Sequence, residues 1–273
     1  MNKVYQVYQV SDSTGETLDR IFIALKAQFS KFDCKTIHYS FTRTKNQIDK
    51  IISKSKSEKD VIILYTIVDK DLSKYLELET KKNNIPSFEG LGKLISDFSK
   101  LLKQEATQIP SGQHALDKEY YRRIEAVQFT MSHDDGKKLD DVAKADIVIL
   151  GVSRTSKTPT SMYLANRGYK TANIPLVMDQ KIPEDLKSKR NKTCIVGLVT
   201  DPERLADVRR NRVTIMKENN IKEYTDLNFI KEEINKSKNL FKKYNWPVID
   251  VTRKSVEESA ASILKIYEIQ KSK

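Results

Sequence analysis

The stretch Asp146–Thr171, DIVILGVSRTSKTPTSMYLANRGYKT, decides the fold of this chain. An apolar run, Ile147-Val148-Ile149-Leu150, ends at Gly151 and opens a short loop, Val152-Ser153-Arg154-Thr155-Ser156-Lys157-Thr158. Pro159 then falls in the first turn of a helix, where its missing N–H would have had no partner anyway. Strand, loop and helix in this order, with Lys-Thr at the junction, make the layout of a phosphate cradle. Backbone N–H groups and the positive helix end meet phosphate oxygens, Lys157 neutralises them, and the Thr158 hydroxyl is placed to hold Mg²⁺. The regular pattern, G-x-x-x-x-G-K-[ST], is matched except at Ser156, where a glycine normally lets the backbone approach the phosphate.

Outward from this loop the pattern is α/β. Val4–Val10 alternates and is β-branched, and it runs into Ser11-Asp12-Ser13-Thr14-Gly15-Glu16-Thr17. Leu18, Ile21, Phe22, Leu25 and Phe29 follow at helical spacing. Ile37–Phe41 reads as a second strand, with a helix through Ile52. Val61–Val68 is a continuous apolar run, as in a parallel strand buried on both faces. Asp71–Lys82 and Leu91–Leu102 read as helices flanking a short strand, Ile85–Phe88. Alternation with short connections predicts a doubly wound parallel sheet whose ligands gather at the carboxyl ends of its strands.

Gln104–Ser111 is polar and reads as a crossing, after which Gly112–Asp117 leads into a helix containing Tyr120, Tyr121, Ile124 and Val127. The turn Ser132-His133-Asp134-Asp135-Gly136 comes next. Beyond the central loop, Val142–Leu150, Ala172–Val177, Thr193–Val199 and Trp246–Val251 read as strands. Leu227–Tyr244 and Val256–Ile269 read as helices. Thr200-Asp201-Pro202 opens a further helix bearing Arg204, Arg209, Arg210 and Arg212. The expected fold class is α/β, with an N-terminal doubly wound parallel-sheet domain over 1–110. A connecting helix and turn cover 111–140, and a P-loop kinase-like α/β domain covers 141–273.

The chain has 273 residues, 38% of them hydrophobic, enough for real cores, and a formal charge of +12. The lysines are dispersed and mostly sit beside Asp or Glu, so the charge reads as a solvated surface that also steers anionic ligands, not as a nucleic-acid interface. No zinc spacing is present, and Cys34 and Cys194 read as buried free thiols. Met1–Val10 has no apolar core behind a basic start, and no run is long enough to span a bilayer. A cytoplasmic protein with no membrane partner is expected.

The segments SDSTGET, GQHALD, RIEAVQFTMSHDDG, GVSRTSKTPTSMYLANRGYK, ANIPLV, VGLVTDPERL and WPVIDVTRKSVEESA resemble the pyruvate, phosphate dikinase regulatory protein family. A close relative within it acts on phosphoenolpyruvate synthase. The resemblance runs from the first strand to the last helix, and the family's loop carries Ser or Gly at the Ser156 position. It implies a bifunctional serine/threonine kinase and phosphorylase. One reaction phosphorylates an active-site threonine of the dikinase with ADP as donor, inactivating it. The other removes that phosphate with inorganic phosphate, releasing pyrophosphate. Carried over residue by residue, the ADP-binding loop is Gly151, Val152, Ser153, Arg154, Thr155, Ser156, Lys157 and Thr158. Lys157 is then the catalytic cation, Thr158 the Mg²⁺ ligand, and Asp134 and Asp135 the candidates for the general base. Ser11–Thr17 suits either dikinase docking or an inorganic-phosphate site. Phosphoenolpyruvate synthase as target, a small-molecule P-loop kinase and a basic nucleic-acid-binding module are the alternatives, and a homodimer is left open.

Overall fold

The computed structural model of the chain describes residues 3–112, 118–176, 182–187, 193–216 and 222–272. Residues 113–117 of the GQHALD segment, Val177 of the strand expected over 172–177, and the lysines at 189 and 192 lie outside that description. The chain divides into two compact units, Met1–Ala115 and Leu116–Lys273.

In the first unit, strands β1 (Val4–Ser11), β2 (Asp33–Tyr39), β3 (Val61–Thr66) and β4 (Ser87–Glu89) alternate with helices α1 (Glu16–Lys26), α2 (Lys45–Ser57), α3 (Lys70–Lys82) and α4 (Gly92–Leu102). All pairings are parallel, in the order β2-β1-β3-β4. Tyr8, Val10, Ile63 and Tyr65 meet Ile48, Ile51 and Ile52 of α2 and Leu72 and Leu76 of α3 on one face. Val7 and Leu64 meet Leu18 and Phe22 of α1 on the other. A sheet covered on both faces explains why β3 reads as an unbroken apolar run. The second strand differs from expectation: it begins at Asp33 and ends at Tyr39 instead of covering 37–41. Residues 33–39 pair in register with 4–10, and Phe41 leaves the sheet at φ 54°, half exposed. Phe29 falls beyond the end of α1 and is likewise exposed.

The second unit repeats the strand order. Strands β5 (Ile147–Gly151), β6 (Thr171–Pro175), β7 (Cys194–Val199) and β8 (Val248–Asp250) pair in parallel as β6-β5-β7-β8. The intervening helices are α5 (Lys118–Ser132), before β5, then α6 (Lys157–Ala165), α7 (Glu184–Lys187), α8 (Pro202–Met216), α9 (Lys222–Thr225), α10 (Leu227–Tyr244) and α11 (Val256–Lys271). Ile147, Ile149, Val196 and Leu198 face Leu164 of α6 and Ala260 and Ile263 of α11. Val148, Leu150 and Val199 share the opposite face with Phe241 of α10. This is the buried sheet that the apolar run 147–150 predicts. The strand expected over 142–150 starts only at Ile147, because Leu139–Lys144 winds into 3-10 turns that tuck Val142 into the core. Residues 118–136, expected within a connection, instead pack on α6 and β6 as part of the second unit.

Cys194 is buried and Cys34 only half buried, both as free thiols, so the expectation of two buried thiols holds for the first alone. Burial pushes the Cys194 thiol up to about 12. Among the described residues no helix is long and apolar enough to cross a membrane.

Gly197 in the centre of β7 is dictated by packing, since a Cβ there would lie 2.5 Å from the Phe241 ring. Gly197→Ala is expected to destabilise by about 1–3 kcal/mol, because a close-packed core must shift to admit a methyl group. Thermal unfolding would show the loss, and Phe241→Leu in the same chain would restore part of it.

Candidate active site

The site grows from the junction of β5 and α6, beside the crevice between β5 and β7 where the strand order reverses. Gly151 is required by close approach: a Cβ would stand 2.8 Å from the Leu198 carbonyl oxygen and 2.9 Å from Thr155 Oγ1. Arg154 (φ 74°) and Ser156 (φ 58°) both take left-handed backbone conformations. Ser156 therefore adopts the geometry for which the motif ordinarily uses glycine, and it stands directly before α6. Inside the loop, Thr155 Oγ1 and Lys157 Nζ both donate to the Val152 carbonyl at 3.0 Å. Among the described residues, no hydrogen bond is donated by the N–H groups of Ser153, Arg154, Thr155 or Ser156. A run of N–H groups at a helix start is the concavity that anions occupy.

Lys157 is only 6% exposed. Burial pushes its ammonium down to about 8; Asp135 and more weakly Asp134 oppose the fall, while Arg154 and Arg209 add to it. The structure thus brings Asp134 and Asp135, distant in sequence, to the electrostatic neighbourhood of Lys157. Thr158 Oγ1 donates to Asp134 Oδ1 at 2.9 Å. Asn173 of β6 completes the group, donating from Nδ2 to the same Asp134 oxygen and accepting the Asp135 N–H on Oδ1 at 3.0 Å. Asp135 sits at φ 55°, ψ 42°, another left-handed residue. Thr158 and Asp134 together offer hard oxygen donors of the kind Mg²⁺ takes alongside phosphates, so the residues fit such an ion.

His133, adjacent to the two carboxylates in sequence, does not join them. It is buried and stacked on Phe129 at 3.8 Å between ring centroids, with Nδ1 2.8 Å from the Phe129 carbonyl oxygen and Nε2 2.6 Å from Asp141 Oδ1. The hydrogen bond from His133 holds the Asp141 carboxyl below its usual range.

Of the arginines on α8, Arg209 is the one built into the loop. It is 1% exposed, bonding Glu233 at 2.7 Å, the Tyr224 carbonyl oxygen at 3.1 Å and the Ser153 carbonyl oxygen at 3.3 Å. The Tyr224 hydroxyl lies 3.3 Å from both Ser153 Oγ and Arg154 Nε. Arg210 pairs with Asp207, and Arg204 lines a cleft with Arg253 and Lys254.

Reasoning from sequence missed Asn173, Arg209 in its buried role, and Tyr224. Asn173 carried a signal, being an amide in the middle of an otherwise apolar strand, where a polar side chain needs partners.

In the loop of the first unit, Asp12 and Ser11 bond within the fold, while Thr14 and Glu16 are exposed. Asp12 is buried and accepts the Val68 N–H at 2.7 Å, and burial, partly offset by that bond, pushes its carboxyl up. Ser11 Oγ accepts from Ser13 N–H and from Thr66 Oγ1.

A sequence model of the family described as kinase/pyrophosphorylase matches residues 7–264. A protein of Pelagibacter ubique (strain HTCC1062) is 60% identical over 273 residues, with 99% of each chain covered, and is named "Putative pyruvate, phosphate dikinase regulatory protein". Proteins with the same name from Maricaulis maris (strain MCS10) and Erythrobacter litoralis (strain HTCC2594) are 43% and 40% identical. They cover 96% and 97% of this chain, and 93% and 95% of their own lengths.

The depressed lysine gives two linked expectations. An anion arriving at the loop favours charged Lys157, so binding a diphosphate near pH 8 should take up protons. Calorimetry in buffers of different ionisation enthalpy should show that uptake at pH 8 and little of it at pH 6.5. For stability, the unfolded chain keeps the lysine proton up to its ordinary value of 10.5, while the folded chain releases it near 8. Stability from this group therefore rises between those two pH values, and the charged lysine destabilises the fold below them by about 3 kcal/mol at most. Lys157→Met should raise the melting temperature at pH 7 while weakening diphosphate binding, and its thermal advantage should shrink above pH 10.

Proposed function

The chain belongs to the kinase/pyrophosphorylase family, and on that premise we propose that it regulates pyruvate, phosphate dikinase by two phosphoryl transfers on one threonine. In the first, the threonine oxygen bonds to the β-phosphorus of ADP, the bridging oxygen–phosphorus bond breaks, and AMP departs with the electron pair. In the second, an oxygen of inorganic phosphate bonds to the phosphothreonine phosphorus, and the threonine oxygen leaves and recovers a proton, giving pyrophosphate.

The observation that carries this reading is the buried Lys157 at a strand–helix junction, with Asp134, Asp135 and Thr158 beside it. Phosphoryl transfer asks a protein for positioning and charge neutralisation more than for covalent chemistry. Here the loop from Gly151 to Thr158 binds the diphosphate through its N–H groups. Lys157 and Arg154 offset the negative charge that gathers as the phosphoryl group moves. Thr158 and Asp134 would hold Mg²⁺, which would supply further neutralisation of phosphate charge. One of the two carboxylates accepts the proton of the incoming hydroxyl. With Lys157 largely shielded from water, its charge acts at a low effective dielectric, where such interactions are stronger than at a surface.

Purified dikinase incubated with the protein and ADP should acquire phosphate on a single threonine and lose it again on addition of inorganic phosphate, as followed by mass spectrometry. Lys157→Ala should abolish the first reaction. Full activity in a folded Lys157→Ala variant would refute the assignment, and turnover on phosphoenolpyruvate synthase instead of dikinase would reassign the target while keeping the chemistry.

A further inference from the structure

We propose that Asn173 is the positioning residue that gives the two carboxylates of the 134–135 turn different tasks, a proposal that rests on the phosphoryl-transfer reading above. Asn173 is 1% exposed on β6, the strand next to β5. Its backbone N–H donates to the His133 carbonyl at 3.3 Å, which anchors the end of α5 where the turn begins. Its side-chain amide then uses both ends on the turn itself. Oδ1 accepts the Asp135 N–H, and Nδ2 donates to Asp134 Oδ1, with Ser161 Oγ at 3.4 Å as a second acceptor.

The two carboxylates are treated differently by this clamp. Asp134 Oδ1 receives two donors, Asn173 Nδ2 and Thr158 Oγ1, which fix its direction toward the start of α6. Asp135 is held only by its main chain, in a left-handed conformation that aims its exposed carboxylate without committing it. Among the described residues that carboxylate makes no hydrogen bond, yet it is the largest anionic influence on Lys157. Asp134 is thus the fixed oxygen donor beside Thr158. Asp135 takes the proton of the attacking hydroxyl as its oxygen bonds to the β-phosphorus and AMP leaves. An amide is the side chain this arrangement selects. It accepts from an N–H and donates to a carboxylate at once, whereas aspartate would repel Asp134 and serine would not span both partners.

The test compares Asn173→Ala, Asn173→Ser and Asn173→Asp with Asp134→Asn and Asp135→Asn, each checked for folding by thermal melting. Two readouts are taken: kcat and KM for ADP in dikinase phosphorylation, and ADP affinity by calorimetry across a Mg²⁺ titration. Asn173→Ala is expected to lower kcat and raise the Mg²⁺ half-saturation by about 10- to 100-fold, the usual loss when a partner of a functional carboxylate is removed. KM for ADP should change little, because the loop amides remain. Asn173→Asp should lose more than Asn173→Ala. In the background of Asp134→Asn, adding Asn173→Ala should cost less than it does alone, since the two share one interaction. A lower melting temperature with unchanged kcat and unchanged Mg²⁺ dependence would make Asn173 a strand residue only and overturn the proposal. Should the unaltered protein bind ADP without phosphorylating dikinase, the functional reading falls. The Mg²⁺ titration still decides on Asn173, and a Mg²⁺ dependence absent from the unaltered protein or unchanged in Asn173→Ala overturns its role.

Discussion

A lysine ammonium taken out of water at the end of β5 is the constraint from which the site is built. An isolated buried charge is expensive, and a protein meets that expense by shifting the pKa or by supplying partners. Here both responses are present: Lys157 leans on the Val152 carbonyl, faces Asp135 and Asp134, and still has its pKa lowered to about 8. The carboxylates that offset it, Asp135 and Asp134, come from a turn 22 and 23 residues upstream, so that turn has to be held in place. Asn173 does this from the neighbouring strand, and the parallel pairing of β5 with β6 sets where Asn173 can reach. On the other side of the loop, Arg209 reaches the Ser153 carbonyl and is itself held by Glu233 and the ring of Tyr224. The loop is thus fixed from both flanks by buried polar contacts.

Much of this arrangement was legible in the sequence because it depends on local chemistry. The run 147–150 announced a strand buried on both faces, Pro159 announced the first turn of a helix, and α10 has the limits that its apolar spacing predicts. What was not legible depends on pairing at a distance. Apolar Phe41 draws the expected second strand too far along the chain, whereas the strand's position is set by register with β1, which periodicity within one segment does not contain. Apolar Val142 likewise extends the expected β5 toward the N-terminus, although it reaches the core from a 3-10 turn. At the site, Asp134 and Asp135 could be named from their chemistry. That they come within electrostatic range of Lys157, and that His133 turns away to Asp141, follows only from the packing of α5 on the second sheet.

The two units make the same point by contrast. They share one strand order, and each presents a hydroxyl-rich loop at the carboxyl end of its first strand, beside the place where the order reverses. In the first unit Asp12 and Ser11 spend their hydrogen-bonding capacity on Val68, Ser13 and Thr66. In the second, a buried lysine, Lys157, stands behind the loop, whereas residues 11–17 of the first contain no lysine. The topology offers a ligand crevice twice, and the side chains at its edge decide which crevice is equipped for charge.

The proposed use of ADP places a demand on this loop that an ATP-dependent kinase does not meet. In an ATP-dependent P-loop enzyme the amides grip the β-phosphate while the γ-group, lying beyond them, is transferred. With ADP the β-phosphate is itself the group that moves, so it must be reachable by the acceptor and cannot be enclosed by the amides of Ser153–Ser156. Those amides would then hold the α-phosphate, which stays with the departing AMP. Lys157 and the Asp134–Thr158 pair, at the start of α6, would meet the β-phosphate. A shift of the diphosphate by one phosphate unit along the cradle reconciles the loop with the donor. It is also consistent with Ser156, whose side chain stands at the helix start in place of the glycine that closest approach to a gripped phosphate ordinarily requires.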